Sequence, residues 1–313
     1  MRLGAESMAA ALCLQHLVSM ALSGLDQLKF LLVAVLAGFV GSIMGIGGGS
    51  IIVPVLTNVF GVPIREAVAA SLVGVIATSI SGLSTYFREE ITNIRMALFL
   101  ETSTTLGAML GALLSLVTPG SFLYVIFAAF SFYIAASQAY SIRVEERKIR
   151  KSGFRAARPD RISLLLGLSG RYFDESEGRR VEYVISGTLA GWLVSFFAGV
   201  GSGMLGIGGG FIKVSAMNLF MNAPLKVAIA TSKFMVGITA ATSSVVYYLR
   251  GVVRADVAAP VALGTTLGAI AGTKVMNKLR VRWLKAAFSA LAAYLGYVML
   301  RRGLWLMGVA ELP

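Results

Sequence analysis

Cysteine and histidine are almost absent from this 313-residue chain, which contains one of each, Cys13 and His16. A single cysteine allows no internal disulfide bond. The scarcity of thiol and imidazole groups also leaves no ligand set for a zinc site and no Cys–His pair for nucleophilic catalysis. We therefore expect no metal, no cofactor and no enzymatic activity.

Charged residues are also scarce, at 14% of the chain, and the 15 acidic residues are outnumbered by 28 Lys and Arg. The formal net charge of +13 could suggest a nucleic-acid ligand, but most of the basic residues lie in connections and form no long basic face. Basic connections are typical of the cytoplasmic loops of membrane proteins. The charge therefore indicates orientation in a membrane and no nucleic-acid partner.

Hydrophobic residues are abundant instead, at 57% of the chain, which is more than a soluble core of this size can bury. Several apolar runs, including 67–87, 96–117 and 122–141, have the roughly 17–25 residues that cross about 30 Å of hydrocarbon. The 35 glycines suit close helix packing in lipid. The sequence predicts an all-α polytopic protein of the cell membrane, surrounded by lipid.

The N-terminal segment, residues 1–27, precedes the repeated core. Its apolar stretch at 8–22 is short and is interrupted by Gln15 and His16. Three interpretations remain open for this stretch: an additional helix leading into the first span, an interfacial segment, or a cleaved signal.

The core is an internal duplication. A shift of 161 positions aligns residues 37–111 with 198–272 without a gap. The sequence Gly-Ile-Gly-Gly-Gly occurs at 45–49, the first glycine cluster, and at 206–210, the second; Thr-Thr-Leu-Gly-Ala occurs at 104–108 and 265–269. Chance similarity between apolar segments would not keep one register over this length.

Each half has the same series of segments: an apolar helix, a glycine cluster, a short apolar segment and three full spans. We expect helices at 28–44, 50–60, 66–87, 96–118 and 121–141, and again at 183–205, 211–221, 226–249, 256–276 and 282–301. The chain divides into the N-terminal segment, transmembrane repeat 1 (28–141), a basic linker (142–181), transmembrane repeat 2 (182–302) and a tail (303–313).

The linker carries eleven Lys and Arg, which places it in the cytoplasm. The short segments would rise only about 16 Å as helices, half the thickness of a bilayer. Each would therefore form a broken or re-entrant pair with the preceding helix. Each half then crosses the membrane three times, and an odd number of crossings predicts two inverted-topology repeats.

Three consecutive glycines in an apolar helix cost roughly 1 kcal/mol each relative to alanine, so we expect backbone breaks that line a cavity. A helix beginning after each break points free N–H groups and its positive dipole end at that cavity, where an anion binds. The predicted substrate-binding residues at the breaks are Gly47, Gly48, Gly49 and Ser50 in half one and Gly208, Gly209 and Gly210 in half two. Tight helix packing is the alternative for the clusters, and it is the favoured interpretation for Gly107, Gly111, Gly268 and Gly272.

Two lysines in apolar segments of half two, Lys213 and Lys233, have no counterpart in half one, where Ile52 and Leu72 are equivalent. A charge at membrane depth requires water, a counter-ion or a substrate. We therefore predict that both lysines bind substrate. The alternative is that either one snorkels to an interface.

Hydroxyl and carboxyl groups complete the candidate site. Ser71, Thr231 and Ser232 are predicted to donate to the oxygens of an anion, or else to bond their own helix backbone. Glu101 is an embedded carboxylate, for which we predict either proton relay, as a coupling residue, or a structural ion pair with a lysine.

These motifs together resemble the TauE/SafE sulfite exporter permease (TSUP) family over about residues 28–302. The resemblance rests on the duplicated glycine clusters, the prolines Pro63 and Pro224 that follow them, and the closing Thr-Leu-Gly-Ala-x-x-Gly helix. It implies a secondary transporter that exports a small sulfur-containing anion such as sulfite or an organosulfonate. An ion gradient, of protons or sodium, would drive alternating access at the paired breaks. The resemblance also leaves open whether the chain forms a homodimer. The alternative is an anion channel or facilitator for another small oxyanion or carboxylate.

The chain departs from the family pattern in two places. Half one has Asn93 and Arg95 where half two has Arg254 and Asp256, and the latter pair is closer to the family's usual pattern. The linker is also longer than in many members. It indicates either regulation or a partner, or a plain solvated connection.

Overall fold

The computed structural model describes residues 24–44, 47–88, 91–148, 158–174, 179–276 and 281–309. Half one contains α1 (Gly24–Met44), α2 (Gly49–Asn58), α3 (Ile64–Arg88), α4 (Ile94–Val117) and α5 (Gly120–Lys148). The connection contains α6 (Arg161–Leu166), β1 (Gly170–Asp174) and β2 (Arg179–Tyr183). Half two contains α7 (Thr188–Leu205), α8 (Gly210–Leu219), α9 (Leu225–Leu249), α10 (Ala255–Met276) and α11 (Val281–Leu306). The 8–22 stretch lies outside the described residues.

Seven of these helices, namely α1, α3, α4, α5, α7, α9 and α10, are long and apolar enough to cross a membrane, judged by length and composition. The predicted helical, multi-pass architecture is confirmed at this level. The helices α2 and α8 have ten residues each, or about 15 Å of rise. The two short segments after the glycine clusters are therefore confirmed as short helices.

The predicted helix at 183–205 begins later than expected, at Thr188. Tyr183 is the last residue of β2, and Gly187 has a left-handed conformation with φ 62° directly before α7. A residue with positive φ cannot continue an α-helix. The first five residues of the predicted segment therefore belong to the connection.

The connection is more ordered than a plain solvated linker. Strands β1 and β2 form an antiparallel hairpin in which Gly170 pairs with Tyr183 and Asp174 with Arg179. Four apolar side chains of this segment, Leu168, Tyr172, Tyr183 and Ile185, are buried in one cluster with residues of α4, α8 and α9. The hairpin therefore packs on the helical bundle, and the plain-linker interpretation is wrong for it.

The two halves exchange equivalent partners. Helix α1 of half one packs on α10 of half two, and α7 of half two packs on α4 of half one. A Cβ at Gly107 or Gly111 would overlap the backbone of α7, at Phe196 and Val200. A Cβ at Gly268 or Gly272 would likewise overlap the backbone of α1, at Val35 and Phe39. The packing role predicted for these four glycines is confirmed.

Candidate functional site at two glycine breaks

Glycines of both clusters adopt left-handed backbone conformations, and one of them, Gly206 with φ 70°, ends α7. In the first break Gly47 and Gly48 have φ of 81° and 80°, and in the second Gly208 and Gly209 have φ of 79° and 64°. Residues with a Cβ rarely adopt these angles, whereas glycine adopts them without steric cost. The helices α2 and α8 begin at the next glycine, Gly49 or Gly210.

Close packing adds a second requirement for glycine at the breaks. A Cβ at Gly48 would lie 2.8 Å from the carbonyl oxygen of Ala37, and a Cβ at Gly209 would lie 2.8 Å from that of Ala198. Ala37 and Ala198 are equivalent in the duplication. Each break is therefore held against the helix that precedes it in the same way.

The two breaks are in direct contact at the centre of the bundle. A Cβ at Gly49 would overlap the carbonyl oxygen of Gly206, so only glycine allows this approach. The hydroxyl of Ser71 donates a hydrogen bond of 2.6 Å to the same oxygen. The contact brings the N-terminus of α2 next to the end of α7.

A small cavity of about 20 Å³ lies beside the first break. It is lined by Gly41, Ser42, Gly47, Thr78, Ser79, Lys233 and Val236. Lys233 of half two thus lines a cavity at the break of half one, and its exposed fraction is only 6%. The cavity has room for about a water molecule, and a polyatomic anion would need it to widen.

The hydroxyl groups at this cavity are engaged with backbone oxygens. Thr78 Oγ1 lies 3.0 Å from the carbonyl oxygen of Gly47 and 2.9 Å from that of Gly74. Ser79 Oγ donates to the carbonyl oxygen of Lys233 at 2.6 Å. Lys233 is the charged side chain among the residues that line this cavity.

A buried polar triad lies next to the second break. Lys213 of α8 is fully buried, and its Nζ is 3.7 Å from Glu101 Oε2 of α4. Thr239 Oγ1 of α9 accepts a hydrogen bond from Lys213 Nζ and lies 2.6 Å from Glu101 Oε1, to which it donates. The side chains of Lys213 and Glu101 are 0% and 6% exposed, so Lys213 is directed into the protein interior and not toward an aqueous surface.

The positions equivalent to the triad in the duplication carry no ion pair. Ile52, Ala262 and Thr78 occupy the positions equivalent to Lys213, Glu101 and Thr239. Sequence reasoning therefore found the two charged residues but did not include Thr239 in the site. The available signal was that the duplication preserves threonine at 78 and 239.

The remaining predicted hydroxyl residues lie around the same breaks. Ser71 and Ser232 donate to the carbonyl oxygens of Gly206 and Gly210, at 2.6 and 2.9 Å, and thus bond the breaks rather than their own helices. The Oγ of Ser50 is buried and has no hydrogen-bond partner among the described residues. Ser71 and Ser232 therefore stabilise the backbone of the second break by hydrogen bonds, whereas the hydroxyl of Ser50 makes no hydrogen bond to the described residues.

Asn93 is a further residue of the site that sequence reasoning did not include. It caps α4 by accepting from Met96 N at 2.9 Å, and its side-chain amide donates to Leu168 O and Tyr183 Oη at 2.6 and 2.9 Å. Its backbone N–H donates to Thr231 Oγ1 at 3.1 Å. Burial raises the pKa of Tyr183, although the bond from Asn93 acts in the opposite direction. Asn93 thus joins the connection to α4 and α9.

The equivalent loop of half two has a different role. Arg254 forms ion pairs with Asp256 at 2.6 Å and with Glu66 of α3 at 3.2 Å. The hydrogen bond to Asp256 is the largest of the effects that raise the pKa of Arg254. The two equivalent loops are therefore not symmetric in function, since one binds the hairpin and the other forms an ionic cluster between α3 and α10.

A bundle of candidate membrane spans, interrupted by two breaks that meet beside buried charged groups, is the architecture of a multi-pass membrane transporter. The family model for "Sulfite exporter TauE/SafE" matches residues 30–299. The chain belongs to this family of membrane transporters and is not an enzyme.

Curated relatives cover nearly the whole chain. The "Probable membrane transporter protein YunE" of Bacillus subtilis (strain 168) is 27% identical over 288 residues, which cover 89% of this chain and 100% of the relative. YdhB of the same organism is 24% identical, covering 86% and 98%. MJ0441 of Methanocaldococcus jannaschii is 25% identical, covering 86% and 94%; both are also described as probable membrane transporter proteins. No solved structure gives a significant match.

Proposed function

We propose that the chain is a secondary transporter that exports a small sulfur-containing anion, such as sulfite or an organosulfonate, by alternating access at the two glycine breaks. The observation that carries this proposal is the position of Lys233, which lines a cavity together with Gly47 of the opposite half. The sulfur chemistry of the substrate is taken from the family description.

The chemistry of the breaks suits an anion. The first N–H groups of α2 and α8 precede the intrahelical hydrogen bonds and carry the positive end of each helix dipole. Ser50, the second residue of α2, adds a buried hydroxyl without a partner among the described residues. Oxygen atoms of a small oxyanion accept hydrogen bonds from all of these donors and from the ammonium group of Lys233.

Alternating access needs two halves that can change their relation. We propose that the halves are inverted-topology repeats, with residues 142–181 in the cytoplasm. The exchanged packing of α1 with α10 and α7 with α4 supports a pseudo-two-fold relation, and the basic linker supports the orientation. The short helices supply the broken segments near mid-membrane that such transporters use.

Glu101 is the proposed coupling residue. In the present state its Oε2 has no hydrogen bond among the described residues and faces Lys213 at 3.7 Å. Protonation of Glu101 would remove the negative charge from this pair and leave Lys213 as a buried cation. A buried cation attracts an anion, so proton binding at Glu101 would favour substrate binding near the second break.

The test is uptake of labelled sulfite by proteoliposomes containing the wild type, Lys233→Ala or the control Lys274→Ala, which alters an exposed lysine of α10. Taurine, sulfoacetate, thiosulfate and sulfate serve as competitors. We expect saturable flux that Lys233→Ala abolishes and Lys274→Ala preserves. Flux that rises without saturation would favour the channel alternative, and equal flux in both variants would remove Lys233 from the site.

A further inference from the structure

The short helix α6 presents an unusual apolar surface. Leu164 and Leu165 are 66% and 85% exposed, and the neighbouring Ile162 and Leu166 are also exposed. Ser163 is the buried residue of this helix. A contiguous apolar patch on a segment that contains several charged residues marks an interaction surface.

The position of α6 relative to the membrane follows from Asp160. Its Oδ1 accepts from Ser163 N at 2.8 Å and so caps α6. Its Oδ2 accepts from Thr188 N and Thr188 Oγ1 at 2.8 and 2.6 Å, and Thr188 is the first residue of α7. Since α7 is a candidate membrane span, the start of α6 lies where that span begins, at the membrane boundary.

The hydrogen bonds also fix the charge of this junction. Burial acts to raise the pKa of Asp160, but the bonds from Thr188 and Ser163 outweigh it and hold the pKa below its ordinary value. The carboxylate is therefore ionised at neutral pH. An ionised cap with three donors is a firm attachment of α6 to α7.

Two neighbouring features match a lipid surface. Leu189 and Leu193 are exposed on the first turns of α7, which is the lipid-facing side of a span. Arg158, Arg161 and Arg171 are exposed around α6. Interfacial segments combine apolar residues with Lys and Arg in this way, and basic residues near an anionic leaflet are attracted to its lipid headgroups.

We infer that α6 is an interfacial anchor, whose leucines insert into the acyl boundary of the leaflet at the start of α7 while the surrounding arginines contact lipid phosphates. The anchor does not depend on which anion is carried. It continues directly into the hairpin, because Leu168 follows the left-handed Gly167 that ends α6, and Leu168 O accepts from Asn93 Nδ2. The membrane surface would therefore hold the hairpin in place over the ends of α4 and α9.

The chain has a single native cysteine, Cys13, so one substitution gives a background in which only an introduced cysteine is labelled. In a Cys13→Ser background, one cysteine is introduced as Leu165→Cys, Leu164→Cys, Leu193→Cys or Arg180→Cys and labelled with an environment-sensitive fluorophore. Leu193 on α7 is the lipid-exposed reference, and Arg180 on β2 is the water-exposed reference. The labelled proteins are reconstituted into phosphatidylglycerol vesicles with or without spin-labelled acyl chains, and iodide serves as the aqueous quencher.

We expect the labels at 164 and 165 to be quenched by spin-labelled acyl chains at least half as strongly as the label at 193, and several-fold more than the label at 180. They should also be protected from iodide. Iodide quenching at both positions comparable to that at 180 would overturn the inference. Protection from iodide without quenching by the lipid label would also overturn it, since protein rather than lipid would then cover α6. Elution of each labelled variant at the wild-type volume in size-exclusion chromatography controls for folding.

Discussion

Replacing Lys213 by isoleucine should destabilise the protein strongly, whereas the same replacement combined with Glu101→Ala should not. The single variant leaves the Glu101 carboxylate buried, with Oε2 lacking any hydrogen bond among the described residues. Breaking a buried ion pair by removing one partner costs about 3–5 kcal/mol. The double variant introduces the uncharged residues found at the equivalent positions, since Ile52 corresponds to Lys213 and Ala262 to Glu101. Replacement of a buried pair by apolar residues is often neutral or stabilising.

The measurement is a double-mutant cycle on unfolding in detergent micelles, with Lys213→Ile, Glu101→Ala and the double variant compared with the wild type. We expect each single change to lower the free energy of unfolding by about 3–5 kcal/mol and the double change to lower it by less than either one. Additive losses would refute the reasoning, because they would mean that the two groups do not stabilise each other across 3.7 Å. Transport should be lost in all three variants, so stability and activity separate in the double variant.

Three further predictions follow from the breaks and the connection. Gly48→Ala should lower the free energy of unfolding by about 1–3 kcal/mol, because Gly48 has φ 80° and its Cβ would lie 2.8 Å from Ala37 O. The matched control in thermal unfolding is Gly61→Ala, at a position with φ 68° and open space. An equal loss of stability in both variants would show that packing at the break does not matter. Asn93→Ala should raise hydrogen exchange of the hairpin amides at 170–173 several-fold, while unchanged exchange would contradict its role in holding the hairpin. The pKa of Asp160 is lowered in the folded protein, so its stabilisation of the α6–α7 junction is present above about pH 3.9 and is lost as the pH falls through the lower folded value. Pepsin should therefore cleave the connection of the wild type faster as the pH falls below about 4. This increase in cleavage rate should be larger than the increase that the same pH change causes in the Asp160→Asn variant.

The sequence was informative about the helices because the duplication supplies two copies of each signal. The short helices α2 and α8 begin one residue before the predicted Ser50 and Phe211, since positive φ at the preceding glycines sets their starts. The hairpin was not predicted, because its strands have five residues each and are rich in charge, and the alternation of polar and apolar residues at 180–183 is too short to distinguish a strand from a loop. Its order comes from packing on α4, α8 and α9, which is tertiary.

The site was predictable in its residue types and less so in its pairings. Charges at membrane depth drew attention to Lys213, Lys233 and Glu101 without any contact information. That Glu101 lies beside Lys213 while Lys233 lines the cavity of the other half depends on how α4, α8 and α9 pack, and no local pattern encodes it. Hydroxyl partners such as Thr239 are ambiguous for the same reason, since a threonine in a helix usually bonds its own backbone.

The direct contact between Gly49 and Gly206 bears on how the two copies can diverge. A side chain at Gly49 would overlap the main chain of the other half at Gly206, so no rotamer change could accommodate it. Substitutions that would make the two sequence copies differ at Gly49 are therefore restricted by the other half of the protein as well as by the local backbone conformation. Lys213 and Lys233 differ from the equivalent Ile52 and Leu72. The glycine clusters are identical in the two copies, because the backbone of each copy limits which residues fit in the other.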